Sequence, residues 1–214
     1  MSESPQSLKK WRGILLAAGQ GRRFDQSGQR NKLLQPVSDQ QTVAVSSARH
    51  LLAALPDSLA VIPASSACSL SPISAIPRES ATTVLAKSLR DTGCDIATCP
   101  HAEQGMAASL VYGLQQSLDY QGWVIALADM PYVQPSTIRQ LLSALESGAD
   151  IAVLRYQGKR GNPVAFSRTH LAELLLLSGD QGARDLLRRY PVVEIDVDDP
   201  GILQDIDRPE DLLL

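Results

Sequence analysis

The sequence predicts an α/β fold with a mostly parallel sheet and helices on both faces. Two observations carry this. Short apolar runs alternate with longer segments whose apolar residues recur every three or four positions, the order of strand and helix that builds parallel sheets. The most central runs, such as Trp123 to Ala128, are apolar throughout rather than alternating, as strands covered on both faces require.

The first strand is Ile14 to Ala17, after a polar start from Met1 to Lys10 that reads as a flexible extension without the apolar core of a secretory signal. Leu33 to Gln41 is polar and holds Pro36. Val43 to Leu55 follows as an amphipathic helix, with Ala44, Ala48, Leu51, Leu52 and Leu55 on one face. Leu59 to Ile62 is a strand. Prolines at 63, 72 and 77 then break any continuous element before Ser80, so an irregular excursion is expected. Val84 to Arg90 is a helix and Asp95 to Thr98 a strand; Gly105 to Leu118 carries apolar residues four apart, so a helix begins close behind the Gly105–Leu110 segment, with Ser109 on its first turn or just before it and its N-terminus toward the space above the sheet.

Trp123 to Ala128 is the next strand and ends in Asp129-Met130-Pro131. Pro135 suits the first turn of a helix buried through Ile138, Leu141, Leu142 and Leu145 and stopped at Gly148. Ile151 to Tyr156 is a strand. A basic turn from Gln157 to Asn162 and a short extended segment from Pro163 to Phe166 then break the alternation by pairing back. Leu171 to Leu177 and Gly182 to Tyr190 are helical, Val192 to Val197 is a strand, and Pro209 opens a short terminal helix. At 214 residues, with no repeat and no linker, the expectation is one domain over 1–214 with residues 1–10 as its extension.

Composition removes several classes of function. A net charge of −3 offers no general attraction for nucleic acid or anionic membrane, so any basic site is local, and no apolar run approaches a membrane span. Cys68, Cys94 and Cys99 lack paired C-x-x-C spacing, which argues against a disulfide framework or structural zinc and for a reducing cytoplasm. His50, His101 and His170 are scattered and form no Ser/His/Asp pattern.

What remains is the stretch from Gly13 to Lys32. A buried strand breaks into Ala17-Ala18-Gly19-Gln20-Gly21 and then into Arg22, Arg23, Arg30 and Lys32. Glycines admit backbone N–H groups to phosphate oxygens and the cations neutralise them, so the loop suits a nucleotide triphosphate. It is neither of two familiar alternatives: Phe24 stands where a dinucleotide fingerprint needs glycine, and there is no Gly-Lys-Ser/Thr run. The blander reading is a strand-to-loop turn with a solvated basic patch. In parallel sheets ligands sit at the carboxyl ends of strands, which puts this loop and Asp129 on one rim. Asp129 is the best placed ligand for Mg2+, although an aspartate there also suits a plain turn. Among Asp196, Asp198, Asp199, Asp205 and Asp207, the pair Asp205 and Asp207 is favoured as a second carboxylate because it precedes the Pro209 helix. This chemistry covers kinases and nucleotidyltransferases alike.

Several segments together resemble the molybdenum cofactor cytidylyltransferases of the MobA-like nucleotidyltransferase family. They are Leu16 to Phe24 with Lys32, Gly105 to Leu110, Ala126 to Pro131, Gly161 to Val164, Gly179 to Arg184, and Asp205 to Leu212. The resemblance implies a Rossmann-like fold of the nucleotide-diphospho-sugar transferase type. It also implies Mg2+-dependent transfer of CMP from CTP to the phosphate of molybdenum-molybdopterin. By motif position, Leu16, Ala17, Ala18, Gly19, Gly21, Arg23, Lys32 and Ser109 would bind the nucleotide, with Arg23, Lys32 and Asp129 catalytic. Asp129 and Asp207 would bind the metal, Asp205 being the nearby substitute for Asp207. Asn162, which stands where this branch usually has histidine, Asp180 and Arg184 would face the acceptor. Ala18 favours cytosine over guanine, since relatives that transfer guanylyl groups resemble Leu-Ala-Gly-Gly at this point. Transient docking to a molybdoenzyme would suit hand-over of the product. Transfer to another acceptor, such as a sugar phosphate, and a non-catalytic nucleotide-binding delivery module are the competing functions.

Overall fold

The computed structural model describes residues 8–19, 21, 23–25, 30–38, 41–64, 79–179 and 183–213. Strand β1 (Lys9–Leu16) enters the core and leads through a turn at Lys32–Leu34 to a small ladder of β2 (Pro36–Ser38) and β3 (Gln41–Thr42). Helix α1 (Val43–Ala54), β4 (Ser58–Pro63), α2 (Ala81–Arg90), β5 (Asp95–Cys99), α3 (Met106–Gln115) and β6 (Tyr120–Leu127) follow in strict alternation. After α4 (Pro135–Glu146) come β7 (Ile151–Tyr156) and β8 (Lys159–Ser167), then α5 (Leu171–Leu175), α6 (Arg184–Arg189) and β9 (Val193–Asp196).

The main sheet has seven strands in the order β5-β4-β1-β6-β8-β7-β9. Only β8 runs against its neighbours, β6 and β7; every other pairing is parallel. Alternation along β1 covers both faces: Leu15 joins a core cluster built with α1, α2 and α4, while Ile14 and Leu16 join a second one built with α3, α5 and α6. Gly113 lets α3 lie close on that second face, since a Cβ there would stand 2.9 Å from Val61 Cγ2.

Several boundaries differ from the sequence reading. Lys9 and Lys10 are part of β1, with Lys9 in register with Tyr120, so the strand takes in the end of the expected extension. The turn between β7 and β8 is only Gln157 and Gly158, at φ 48° and 78°, both positive as a type I′ hairpin requires. Glutamine is an unusual residue for that position, so the turn signal was blurred, and Lys159 to Asn162 belongs to β8. Helix α3 begins after Gly105, whose φ of 112° lies outside the helical range, and ends at Gln115. The β2–β3 ladder has no counterpart in the sequence reading. Most of the excursion after Pro63 (65–78) lies outside the described residues, as do Gln20, Arg22 and Asp180.

Candidate functional site

β1 and β6 are adjacent, so the loops that leave their carboxyl ends share one rim. The two exits are tied together, Ala128 N–H donating to the Leu16 carbonyl at 3.0 Å. From there the chain turns at Gly21, which sits at φ 58° and whose carbonyl accepts from Phe24 N–H at 2.9 Å. Phe24 is buried and anchors the loop, with the Arg30 guanidinium over its ring. Asn31 then caps the next turn by accepting from Leu33 N–H at 2.9 Å, which aims Lys32 back along the rim. The aliphatic stem of Lys32 runs beside Gly21.

Lys32 is the centre of the site. Its ammonium donates to Asp129 Oδ2 at 2.7 Å and to Asp207 Oδ1 at 3.0 Å. Arg23 donates to the other Asp207 oxygen at 2.8 Å. Two cations from the loop after β1 and two carboxylates from two distant parts of the chain thus balance one another. Asp129 Oδ1 is buried and has no hydrogen-bond partner among the described residues. Burial alone would lower the Lys32 pKa, but Asp129 and then Asp207 outweigh it and hold the ammonium above its ordinary value. Burial likewise pushes the Asp207 carboxyl up, and Lys32 followed by Arg23 brings it below its ordinary value.

The C-terminal segment reaches this rim by a chain of backbone anchors. Asp199, buried, accepts from Gln134 N–H at 2.9 Å and Gly201 N–H at 3.0 Å. Ile206 N–H donates to the Asp129 carbonyl at 2.8 Å. Asp207 is therefore delivered to Lys32, whereas the neighbouring Asp205 does not line the cleft. Partial burial, with Asp207 and Asp129 nearby, holds the Asp205 carboxyl above its ordinary value.

These residues open on a cleft of about 450 Å³. Of the residues that the sequence singled out, Leu16, Ala18, Gly19, Gly21, Arg23, Lys32, Ser109, Asp129 and Asp207 all line it. Ala17 does not; its methyl is buried in the core cluster beneath. Asn162 lines a separate cavity of about 10 Å³ with Pro163 and Leu127, and Arg184 is exposed at the head of α6, away from the cleft lining. The far wall adds Ala102 and Glu103, which the sequence reading did not single out, and Met106, which entered it only as part of the Gly105–Leu110 segment, with no role of its own. The unusual signal there was Gly105, whose φ of 112° separates the 102–104 turn from α3 and whose two flanks both line the cleft.

A hard divalent cation fits this donor set. Two carboxylates, one with an orphaned buried oxygen, supply oxygen ligands and leave room for water and phosphate oxygens to complete the shell. Among the described residues no group of three or more His, Cys, Asp or Glu side chains forms a closed metal cage. No helix among them is long and apolar enough to cross a membrane.

Residues 13–194 match the model of the MobA-like NTP transferase domain. The chain is 30% identical over 204 residues to the purine catabolism protein PucB of Bacillus subtilis (strain 168), covering 93% of this chain and 92% of that protein. Its fold superposes on the crystal structure of Rv0371c from Mycobacterium tuberculosis H37Rv with a TM-score of 0.74, 27% identity and 96% of each chain covered. Rv0371c has also been crystallised in complex with manganese, and that structure matches with a TM-score of 0.70 at 25% identity over 95% of this chain and 96% of that one. A nucleotidyl transferase from Methanothermobacter thermautotroptrophicus shares the fold at a TM-score of 0.74 and 18% identity, covering 95% of this chain and 94% of that one.

Proposed function

Because this chain belongs to the MobA-like NTP transferase domain family, we propose that it transfers CMP from CTP to the terminal phosphate of molybdenum-molybdopterin, releasing pyrophosphate and giving molybdopterin cytosine dinucleotide. The observation that carries a nucleotidyl transfer is the Lys32 ammonium between two carboxylates beside the cleft. That arrangement supplies both the cations for a triphosphate and the oxygens for a divalent metal. The choice of CTP and of the pterin acceptor rests on the resemblance of Leu16 to Phe24, Gly161 to Val164 and Gly179 to Arg184.

In this reading Lys32 and Arg23 exchange their carboxylate partners for phosphate oxygens, and Asp129 and Asp207 hold Mg2+. A divalent metal held by these two carboxylates would supply positive charge against the charge that builds up on the phosphates in the transition state. The manganese complex of Rv0371c supports a divalent cation in this family. Backbone amides of Ala18, Gly19 and Gly21 cradle the phosphates, Leu16 and Ser109 seat the nucleoside, and the Ala18 methyl narrows the space left for the base; Ala17, whose N–H is held by the Val61 carbonyl at 2.9 Å, supports the loop from beneath. An acceptor phosphate oxygen forms a bond to the α-phosphorus as the bond from that phosphorus to pyrophosphate breaks. No protein nucleophile is needed, only alignment and charge stabilisation. The acceptor contacts assigned to Asn162, Asp180 and Arg184 rest on the resemblance alone.

Calorimetry with CTP and GTP, with and without Mg2+, tests the nucleotide. Metal-dependent preference for CTP supports the reading, and preference for GTP moves the protein to guanylyl transfer. Pyrophosphate release in the presence of molybdenum-molybdopterin tests the reaction itself. Asp129→Ala is expected to abolish it with the fold intact, and retained release would refute the metal assignment.

A further inference from the structure

Asp207 carries the second carboxylate of the site, yet it lies on an irregular segment that offers no helix or strand to fix its direction. Carboxylates that meet a cation need their orientation held, and here the holding group is visible. Asp211 Oδ2 accepts from the Asp207 N–H at 2.9 Å and from the Arg208 N–H at 2.7 Å. The return bond runs from Asp211 N–H to the Arg208 carbonyl at 3.1 Å. One carboxylate oxygen thus gathers two successive amides at the entry of the turn Pro209–Leu213, in the manner of the reciprocal bonds that close a helix start. On the other flank Ile206 is buried and its N–H is held by the Asp129 carbonyl. Between these anchors the Asp207 side chain reaches Lys32 and Arg23.

We infer that Asp211 is a positioning residue for the metal site, acting through Asp207 by pinning the backbone amides on which that carboxylate is mounted. The inference rests on the reading of Asp207 as a metal ligand. Asp211 itself has no place in the cleft lining and would touch neither metal nor nucleotide. Groups that orient a ligand in this way typically change metal affinity by roughly 10–100-fold when removed.

The test is Mn2+ affinity, read from the loss of the free-ion electron paramagnetic resonance signal, in the presence of a CTP analogue that carries a methylene between the α- and β-phosphates. Asp207→Ala, Asp211→Ala and the double variant are compared with the unaltered protein. Asp211→Ala is expected to weaken Mn2+ roughly tenfold or more. The double variant should bind no more weakly than Asp207→Ala alone, because the two act through one group. Asp211→Asn retains an acceptor oxygen without the charge and should restore affinity to within about twofold, which separates amide pinning from long-range attraction of the cation. A purely structural role would lower the melting temperature of Asp211→Ala and leave its Mn2+ affinity unchanged. That result overturns the inference. Should Asp211→Ala lose its far-ultraviolet circular dichroism, Asp211→Leu, of similar shape but with no acceptor, serves instead: weakened Mn2+ binding supports the inference and unchanged binding overturns it. Unchanged affinity in Asp207→Ala removes the metal reading itself, a different failure that is recognisable in the same experiment.

Discussion

Replacing Lys32 by methionine keeps an unbranched apolar stem in place and deletes the charge between the two carboxylates. The Lys32 side chain is 8% exposed, and its partners Asp129 and Asp207 are 22% and 32% exposed. Removing one member of a buried ion pair costs about 3–5 kcal/mol, because the remaining charge is left buried and unpaired. Part of each carboxylate still reaches water, and Arg23 still holds one oxygen of Asp207, so about 2–3 kcal/mol is the appropriate range. For a chain of this size each kcal/mol moves the melting temperature by about 2–4 °C, so Lys32→Met should melt roughly 4–12 °C lower. The informative part is the rescue. With the ammonium gone, the two carboxylates form a vacant pair for a divalent cation, so Mn2+ alone should raise the melting temperature of Lys32→Met more than that of the unaltered protein. The assay is scanning calorimetry at pH 7 with and without Mn2+. A variant that melts with the unaltered protein, or that Mn2+ does not lift, would refute the account of Lys32 as the counter-ion that holds Asp129 and Asp207 together.

Two further outcomes are expected. Gly161 packs so that a Cβ would lie 2.3 Å from the Ile202 carbonyl oxygen, a contact with backbone that cannot rotate away. Gly161→Ala should therefore cost about 1–3 kcal/mol in urea unfolding, with an unchanged dependence on denaturant, and a neutral result would show that β8 and the 200–203 turn are not held as tightly as described. Asp150 accepts from Ser167 Oγ at 2.7 Å, and this bond, with one from Thr169, lowers its carboxyl pKa. A depressed folded-state pKa stabilises the fold above the unfolded value near 3.9, and that contribution is lost as pH falls through the folded value. Ser167→Ala should raise the Asp150 pKa in a carbon-detected magnetic resonance titration and flatten the acid limb of stability; an unmoved pKa would exclude Ser167 as the cause.

Much of the site was legible because its two main elements announce themselves locally. A buried run that breaks into Ala-Gly-Gln-Gly, and another that ends in Asp129, mark two strand exits without reference to anything distant. Asp207 was harder. It is one of five aspartates within a dozen residues, and nothing local distinguishes it from Asp205; what does so is the bond from Ile206 N–H to the Asp129 carbonyl, which fixes which of the two side chains meets Lys32. Asn162 and Arg184 illustrate the converse. Their motifs are plain in the sequence, but β8 runs antiparallel beside β6, so Asn162 lies behind Leu127 in a cavity separate from the cleft. Glu103 was not singled out because exposure to a cleft leaves no periodic mark, and Met106, inside the Gly105–Leu110 segment, reads there as one more apolar helix position.

The bond from Lys32 to Asp207 spans 175 residues of chain, and the one from Arg23 to Asp207 spans 184. At about 5–20 residues per second of synthesis, the second carboxylate leaves the ribosome roughly nine to thirty-five seconds after the lysine that it will meet. In that interval the β1 loop and Asp129 can already stand together while their charge balance is incomplete. A nascent chain would therefore have a glycine-rich loop before it has the complete pair of oxygen-bearing side chains, and a ribosome stalled short of Asp207 would carry a sheet with an unfinished site. Competence is thus written into the order of translation, with the last partner to arrive completing the set.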